Sequence, residues 1–419
     1  MKRIAKAAAW LILTSMIALA PFLAASLTAA QENPVQKKYY SWTGVLRLWK
    51  CEGWQSGNGS LTAWLNACIE VFEKRHPGVY VQLTDVSEET MRNFAEGSVN
   101  PPDMILYAPG MLDVPYSLIE LEESLPVKDS LNRMGIWQGK RYAVPVALGG
   151  YALAINTQLL PETPDDWSAL TEAAGNRGKT ADVLNAPADG AFRSWSAALI
   201  SLFAGSYGKQ AGSEPAPVGE GMDLGLEKEK DEPTRMPEVN QNELLPNALP
   251  GVLPESFRTV ESVYSQFTAG QIAVMPVTQR EIRRLQMMSE TGKGPDWRIE
   301  TIGRPMTDQA ALISVVAWPR SDAQERQLLC VELMSLMLSE QMQQKLTLSR
   351  AFSVIDQPPL YGANRGMSGM ETALNDGKLL VPPAFGHAWR EYAKQLMDGI
   401  GAGGQTQAAY GLLEEMMGQ

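Results

Sequence analysis

The chain has 419 residues, 45% of them hydrophobic and 20% charged, and a formal net charge of −11. This is an ordinary globular mix, with enough material for two or three domains and a sizeable core. The acidic balance, with no cluster of lysines and arginines to offset it, argues against a nucleic-acid partner.

The chain opens with Lys2, Arg3 and Lys6, followed by the apolar run AAAWLILTSMIALA, and Pro21 then leads into AASLTAA. This is the order of a secretory signal: basic region, apolar region, small-residue cleavage site. Residues 1–30 are therefore expected to be a signal peptide cut after Ala29 or Ala30. The alternative is an uncleaved anchor, since residues 7–30 approach the roughly 20 that span a bilayer. Either way the protein is expected to be exported, periplasmic or at the cell surface, and to touch a membrane only through this segment. With no cysteine near the cut, a lipid anchor is not expected.

Beyond a polar leader, Val45 to Trp49 reads as a strand that opens into the Gly-rich loop around EGWQSGNGS. Leu61 to Arg75 carries apolar residues at helical spacing, and His76-Pro77-Gly78 stops that helix. VYVQLTDV is the next strand, SEETMRNFAEG a helix capped near Ser87 and Thr90, and PPDMILYA a third strand. Strands and helices alternating at this length predict parallel βαβ units and a sheet covered on both faces. VPVALGGYALAIN then reads as a strand interrupted by Gly149-Gly150. Residues 211–250, rich in proline and acidic repeats and without an aromatic residue, predict a disordered insert. Regular structure is expected to resume with the helix around Phe257, Val260, Val263, Tyr264 and Phe267, ended by Gly270, followed by the strands QIAVMPV and ALISVVAWP and a largely helical remainder.

Catalytic and metal chemistries find little support. There are only two histidines, His76 in a surface turn and His387 at a Pro/Gly-rich helix start, and neither suggests a nucleophile's partner. Cys51, Cys68 and Cys330 lack metal-ligand spacing; Cys68 and Cys330 read as small buried hydrophobes, and a Cys51–Cys68 bridge is left open. No P-loop, GxGxxG or GxSxG occurs, so no cofactor or metal is expected. Two carboxylates suffice for a glycosidase, and the 47 acidic residues meet that requirement without pointing to one. The chain does offer aromatics beside loops: Trp54, Tyr107 at the end of the third strand, Tyr151 past the glycine pair, Trp195 and Trp389. Flat rings with a few polar groups suit the C–H face and hydroxyl rim of a sugar. The competing reading is that each packs in a core or between lobes.

The segment GIWQGKRYAVPVALGGYALAINTQLLPETPDDWSAL resembles the Gly-Lys-x-Tyr-x-x-Pro…Asn-x-x-Leu-Leu…Pro-x-x-Trp pattern of bacterial extracellular solute-binding proteins that feed ABC importers, in particular the maltose-binding-like, carbohydrate-preferring group. IEVFEKRHPGVYVQL, SQFTAGQIAVMPV and ELMSLMLSEQMQQKLTLSRAFSVI are similar to further family stretches, as is the C-terminal region from ALNDGKLL onward. The resemblance implies an α/β, two-lobed fold with three interlobe crossings and a solute cleft that closes by hinge motion. The crossings would fall at Val146 to Gly150, Met275 to Thr278 and Ser314 to Ala317. Residues 44–146 plus 277–313 would form the N-terminal lobe, and 147–276 plus 314–419 the C-terminal lobe, with Gly149 and Gly150 as hinge. Such proteins are not enzymes; they pass solute to ABC permease subunits, here from a monomer.

On this resemblance Trp54, Trp195 and Trp389 would stack on sugar, with Tyr107 and Tyr151 nearby. Glu52, Asp113 and Arg193 would supply hydrogen bonds. The chain departs from the maltose-type pattern in three places. Glycines stand where an acidic residue is common after the hinge strand, APGMLD leaves only Asp113 where an Asp-Arg pair is common, and LISVVAW lacks the usual glycines. The cleft is therefore expected to be less polar than a typical sugar site. The expected function is capture of a sugar or oligosaccharide, and the alternative is an envelope interaction or sensory protein that kept the fold without transport.

Overall fold

The computed structural model describes residues 41–93, 102–122, 125–162, 260–300, 307–317, 323–375, 379 and 381–386. The signal segment, the 211–250 insert, Arg193, Trp195 and Trp389 lie outside the described residues. Two sheets organise the chain. The first has five strands in the order β2-β1-β3-β10-β6, with β1 at Gly44–Cys51, β2 at Val79–Asp85, β3 at Met104–Tyr107, β6 at Val144–Leu148 and β10 at Ala310–Val315. β1 pairs in parallel with β2 and β3, as the alternation of strand and helix predicts, while β10 runs antiparallel to both β3 and β6. The second sheet has three strands in the order β8-β7-β9, with β7 at Tyr151–Asn156, β8 at Val274–Thr278 and β9 at Trp297–Glu300, both neighbours antiparallel to β7.

Helix α1, Thr62–Arg75, buries the stripe Trp64, Leu65, Cys68, Ile69 and Phe72 that the periodicity predicted. The Trp64 indole N–H donates to the Met342 carbonyl at 2.8 Å, fixing α1 against helix α6, Glu340–Gln344. Lys74 and Arg75 sit in the last turn, favourable against the helix dipole, and Gly78 at φ +95° turns the chain into β2. The short α2, Glu88–Arg92, is capped by Ser87, whose side chain accepts from the Thr90 amide. Between β3 and β6, β4 at Ile136–Trp137 and β5 at Lys140–Arg141 form a hairpin with Gln138 and Gly139 both at positive φ, the conformation a two-residue primed turn requires.

The interior strands β3 and β10 and the edge strand β6 are buried along their whole length, as expected of strands covered on both faces. Inside this body the charged groups are paired. Asp103 accepts from the Arg47 backbone amide at 2.8 Å and from the Arg326 guanidinium of helix α5, Ala323–Met337. Gln343, fully buried, donates to the Val146 and Met337 carbonyls and accepts from the Ser353 hydroxyl and the Val354 amide, all at 2.9–3.1 Å. Such a satisfied buried amide locks one arrangement of strand, helix and loop.

The second sheet carries helix α3, Val260–Thr268, on β8, and α4, Gln279–Glu290, which follows β8 directly. Helix α7, Arg365–Leu374, packs on β9 and α4. These placements shift the crossings expected from sequence. At Gly149-Gly150 the chain leaves β6 of the first sheet for β7 of the second. The second crossing does not fall at Met275 to Thr278: α4 stays with the second sheet, and β9, expected in the first lobe, pairs with β7. The chain returns to the first sheet between β9 and β10. Likewise Ser314 and Val315 lie inside β10, paired with Ile105 and Met104. A further passage follows the 3-10 turn Lys345–Leu348, over residues 349–361 that lead to α7, and beyond α7 the chain is back at the first body, where Ala384 pairs with Gly110 and Met134. Strand-like runs are visible locally, but which sheet each joins is decided by its hydrogen-bonded neighbours.

The three cysteines are free thiols. Cys68 is buried beside α1's other apolar residues, and burial pushes its pKa up to about 12.

Candidate functional site

Three of these passages meet beside Gly149. Its amide donates to the Gln309 carbonyl at 2.6 Å, and its carbonyl accepts from the Thr307 hydroxyl at 2.9 Å. The next amide, Gly150, donates to the side-chain oxygen of Gln279 at 3.1 Å. A Cβ on Gly149 would overlap both Gln309 Oε1 and Gln279 Nε2, and one on Gly150 would stand 3.0 Å from Leu374 Cδ1 and 3.1 Å from Met370 of α7. Neither glycine has a positive φ. The pair is there because two passages and α7 press against the backbone, so the space these glycines leave explains them better than backbone torsion does. From the third passage, Phe352 and Leu148 exchange backbone hydrogen bonds at 2.8 and 3.0 Å.

Tyr151 stands just past the glycines, half-buried, and its hydroxyl donates to Asp308 Oδ1 at 2.5 Å. It ties the first passage to the second. Gln279, Gln309, Ser56 and Trp54 each bury a polar atom that has no hydrogen-bond partner among the described residues: Gln279 Nε2, Gln309 Oε1, Ser56 Oγ and Trp54 Nε1. Leaving a buried polar atom unpaired costs about 1–3 kcal/mol.

The loop after β1 forms one wall of this junction. Gly53 has φ +71°, and a Cβ there would meet Met111 Cε at 2.5 Å, so only glycine fits both the torsion and the space. Trp54 follows it, 7% exposed. Glu52 is also buried; its Oε1 accepts from Lys50 Nζ at 2.7 Å and from the Leu61 amide at 2.9 Å. Burial lifts the Glu52 pKa against the pull of Lys50 and that amide. Burial works against the Lys50 charge, but hydrogen bonds to Asp85 and Glu52 outweigh it, and its pKa is raised. Gln55, Ser56, Gly57 and Asn58 then run along the third passage. The Gly57 amide donates to the Arg350 carbonyl and the Asn58 amide to that of Ser349, at 3.3 and 3.2 Å.

Across the junction stands α4. Its start is a capping box, with the Thr278 hydroxyl and amide both donating to Glu281 Oε2, at 2.5 and 3.0 Å. Gln279, Arg283 and Gln286, spaced four and three residues apart, share one side of the helix, with Arg280 at its edge. Arg280 donates to Gln55 Oε1 on the opposite wall. Arg350 Nη1 donates to Gln286 Oε1 at 2.8 Å, from a backbone at φ +51°.

Of the residues expected at a ligand site, the structure brings Glu52 and Trp54 together in one loop and sets Tyr151 at the chain crossing. Tyr107 is different: it is fully buried, with its hydroxyl 3.0 Å from Ser314 Oγ in the β3–β10 pairing, and burial pushes its pKa up. A residue ending a strand looks exposed in sequence, but here its neighbour is an antiparallel strand that arrives two hundred residues later. Asp113 is exposed on the loop whose preceding residue, Leu112, bridges to Phe385. Phe385 is in edge contact with Trp137 and Tyr142. Sequence reasoning did not single out Gln55, Gln279, Arg280 or Arg350. Nothing local marks them, because their partners lie in other passages of the chain.

The chain matches the family described as bacterial extracellular solute-binding protein over residues 58–284, more than half its length, and belongs to it. Proteins of this family bind solutes rather than transform them, and the family is one of exported proteins. No protein with a curated description matches the sequence. Among solved structures the fold is similar to three binding proteins. Apo RafE from Streptococcus pneumoniae has a TM-score of 0.57 at 14% identity, covering 91% of this chain and 98% of that one. The galacto-N-biose/lacto-N-biose I-binding protein of an ABC transporter from Bifidobacterium longum, in complex with lacto-N-biose, has a TM-score of 0.56 at 11% identity, covering 90% and 97%. The ABC substrate-binding protein Lmo0181 from Listeria monocytogenes, in complex with cycloalternan, has a TM-score of 0.53 at 14% identity, covering 89% and 98%. The fold is thus the two-lobed α/β fold of solute-binding proteins.

Proposed function

We propose that this protein captures a sugar or oligosaccharide between its two lobes and delivers it, as a monomer outside the cytoplasmic membrane, to the permease subunits of an ABC importer. The observation that carries this reading is the meeting of three chain passages at Gly149. Two bodies linked by chain passages that meet in this way can close on a solute, with the passages absorbing the motion. One lobe would comprise the first sheet with α1, α5 and α6, and the other the second sheet with α3, α4 and α7. The saccharide preference is supported by Trp54, a buried indole at the junction, and by the saccharides named for two of the similar structures. Trp54 would stack on a sugar face, with Trp195 and Trp389 as further platforms. Glu52, Asp113 and Arg193 would hold hydroxyls, and Tyr151 would brace the hinge. Titrating a saccharide panel while following tryptophan fluorescence tests the reading. At least one saccharide should quench or shift the emission, and Trp54→Ala should weaken it about tenfold or more, the worth of about 1.4 kcal/mol. A panel without any response would overturn the proposal.

A further inference from the structure

Three arginines gather at the junction without a carboxylate to match them. Arg280 and Arg283 come from α4, beside the second sheet, and Arg350 from the last passage. Their side-chain hydrogen bonds go to neutral amides: Arg280 to Gln55 and Arg350 to Gln286. Among the described residues none of the three forms an ion pair within 4 Å. The acidic neighbours are spoken for or distant. Glu281 is held by Thr278, Glu52 by Lys50 and the Leu61 amide, and Glu290 at the far end of α4 is the weakest of the influences on Arg350. Burial first, and then the Arg283 charge, depress the Arg350 pKa. Arg280 and Arg350 meet the same short loop, and the Arg283 charge acts on Arg350. A Cβ on Gly57 would stand 2.5 Å from Arg350 Cβ and 3.2 Å from the Gln279 carbonyl, while Gln55, two residues earlier, takes Arg280.

Gathering like charges costs free energy, and here it happens in a chain with 47 acidic and only 36 basic residues. With so many carboxylates available, a surplus of positive charge at the one point where the passages meet has no structural use on view. A guanidinium fork held by neutral amides keeps its charge for a second partner, and carboxylates and phosphates match that fork. Placing the charge at a closing junction also strengthens it, because closure removes water.

We infer that the saccharide captured at this junction carries an acidic group, either a uronate carboxylate or a phosphate ester, and that Arg280, Arg283 and Arg350 receive it. This rests on the capture of saccharides proposed above and names their class. The shared chemistry is an oxyanion on a sugar ring, and the two sources are separated by pairing each acidic probe with its neutral counterpart. Digalacturonate is compared with galactobiose, and glucose 1-phosphate with glucose, by titration calorimetry on the full-length exported protein. One acidic probe should bind at least tenfold tighter than its neutral counterpart at low ionic strength, and the margin should shrink at about 0.5 M salt, where the screening length falls to a few ångströms. Arg280→Gln and Arg283→Gln should each remove most of that margin, and the double variant should abolish it. Neutral sugars binding as tightly as acidic ones, or a margin untouched by the double variant, would overturn this inference and leave saccharide capture standing. Inorganic phosphate alone binding as tightly as glucose 1-phosphate would overturn the saccharide part of it. Failure of every saccharide, acidic or neutral, would overturn both.

Discussion

Three polar groups inside the first sheet's body and four at the junction between the sheets invite comparison. Inside the first body, Asp103 has Arg47 and Arg326, Tyr107 has Ser314, and Gln343 makes four hydrogen bonds. At the junction, Gln279, Gln309, Ser56 and Trp54 each leave a buried polar atom without a described partner, and three arginines rest on neutral amides or none at all. On the function proposed above, the difference would separate what holds still from what moves. A satisfied network has one good arrangement, whereas a junction with unspent donors and acceptors can exchange partners at little cost when the bodies shift or a solute arrives.

The comparison breaks most visibly at Arg326. Arg326→Met strands the 2%-exposed Asp103 carboxylate and should cost about 3–5 kcal/mol in urea unfolding, with no dependence on solute. Its pH profile sharpens the test. Burial lifts the Asp103 pKa above the usual 3.8 even against Arg47 and Arg326. An acid whose folded pKa lies above its unfolded one favours folding fully below 3.8 and loses that contribution as pH rises through the folded value. Removing Arg326 raises the folded value further, so the variant's deficit should be smaller at about pH 5 than at pH 7. A deficit that grows on acidification would show that Asp103 is not the group left stranded.

Gly149→Ala should come next. The added methyl drives Gln309 and Gln279 apart, an overpacking worth about 1–3 kcal/mol. Because the clash is at the crossing, small-angle scattering should also show a changed spread of open and closed forms. Stability lost with an unchanged scattering profile would place Gly149 in a static core. The smallest effect is expected at Ser56. Its hydroxyl is buried and unpartnered among the described residues, so Ser56→Ala should leave stability within about 0.5 kcal/mol or raise it, since no hydrogen bond is lost and a desolvated oxygen is removed. A loss well above 1 kcal/mol would mean that the junction's polar groups are held as firmly in hydrogen bonds as those of the first body.

Much of the fold was legible in local pattern. The α1 stripe from Trp64 to Phe72, the Ser87 cap and the strands of both sheets other than β9 follow from periodicity and end signals that need only a few neighbouring residues. The first crossing was legible too, because two adjacent glycines interrupt a β-branched and apolar run. The other two crossings were not. ALISVVAWP reads as a strand end, yet its middle joins β3 and β6, because pairing is decided by distant segments. Tyr107 was misplaced by the same gap, since the strand that buries it begins at Ala310.

What the sequence determined alone, then, is the alphabet of the fold: export, alternating α/β elements, family membership and an acidic balance of charge, all short-range or compositional properties. Only the tertiary structure decided which sheet each strand joins, that Gly149 and Gly150 serve close approach rather than unusual torsion, and that Arg280 and Arg350 reach one loop from different segments. The reason is physical. Propensity and periodicity act over a turn or two of chain, whereas packing, charge balance and the meeting of passages are set by residues up to about three hundred positions apart, such as Asn58 and Leu348, whose hydrogen bond spans 290 residues.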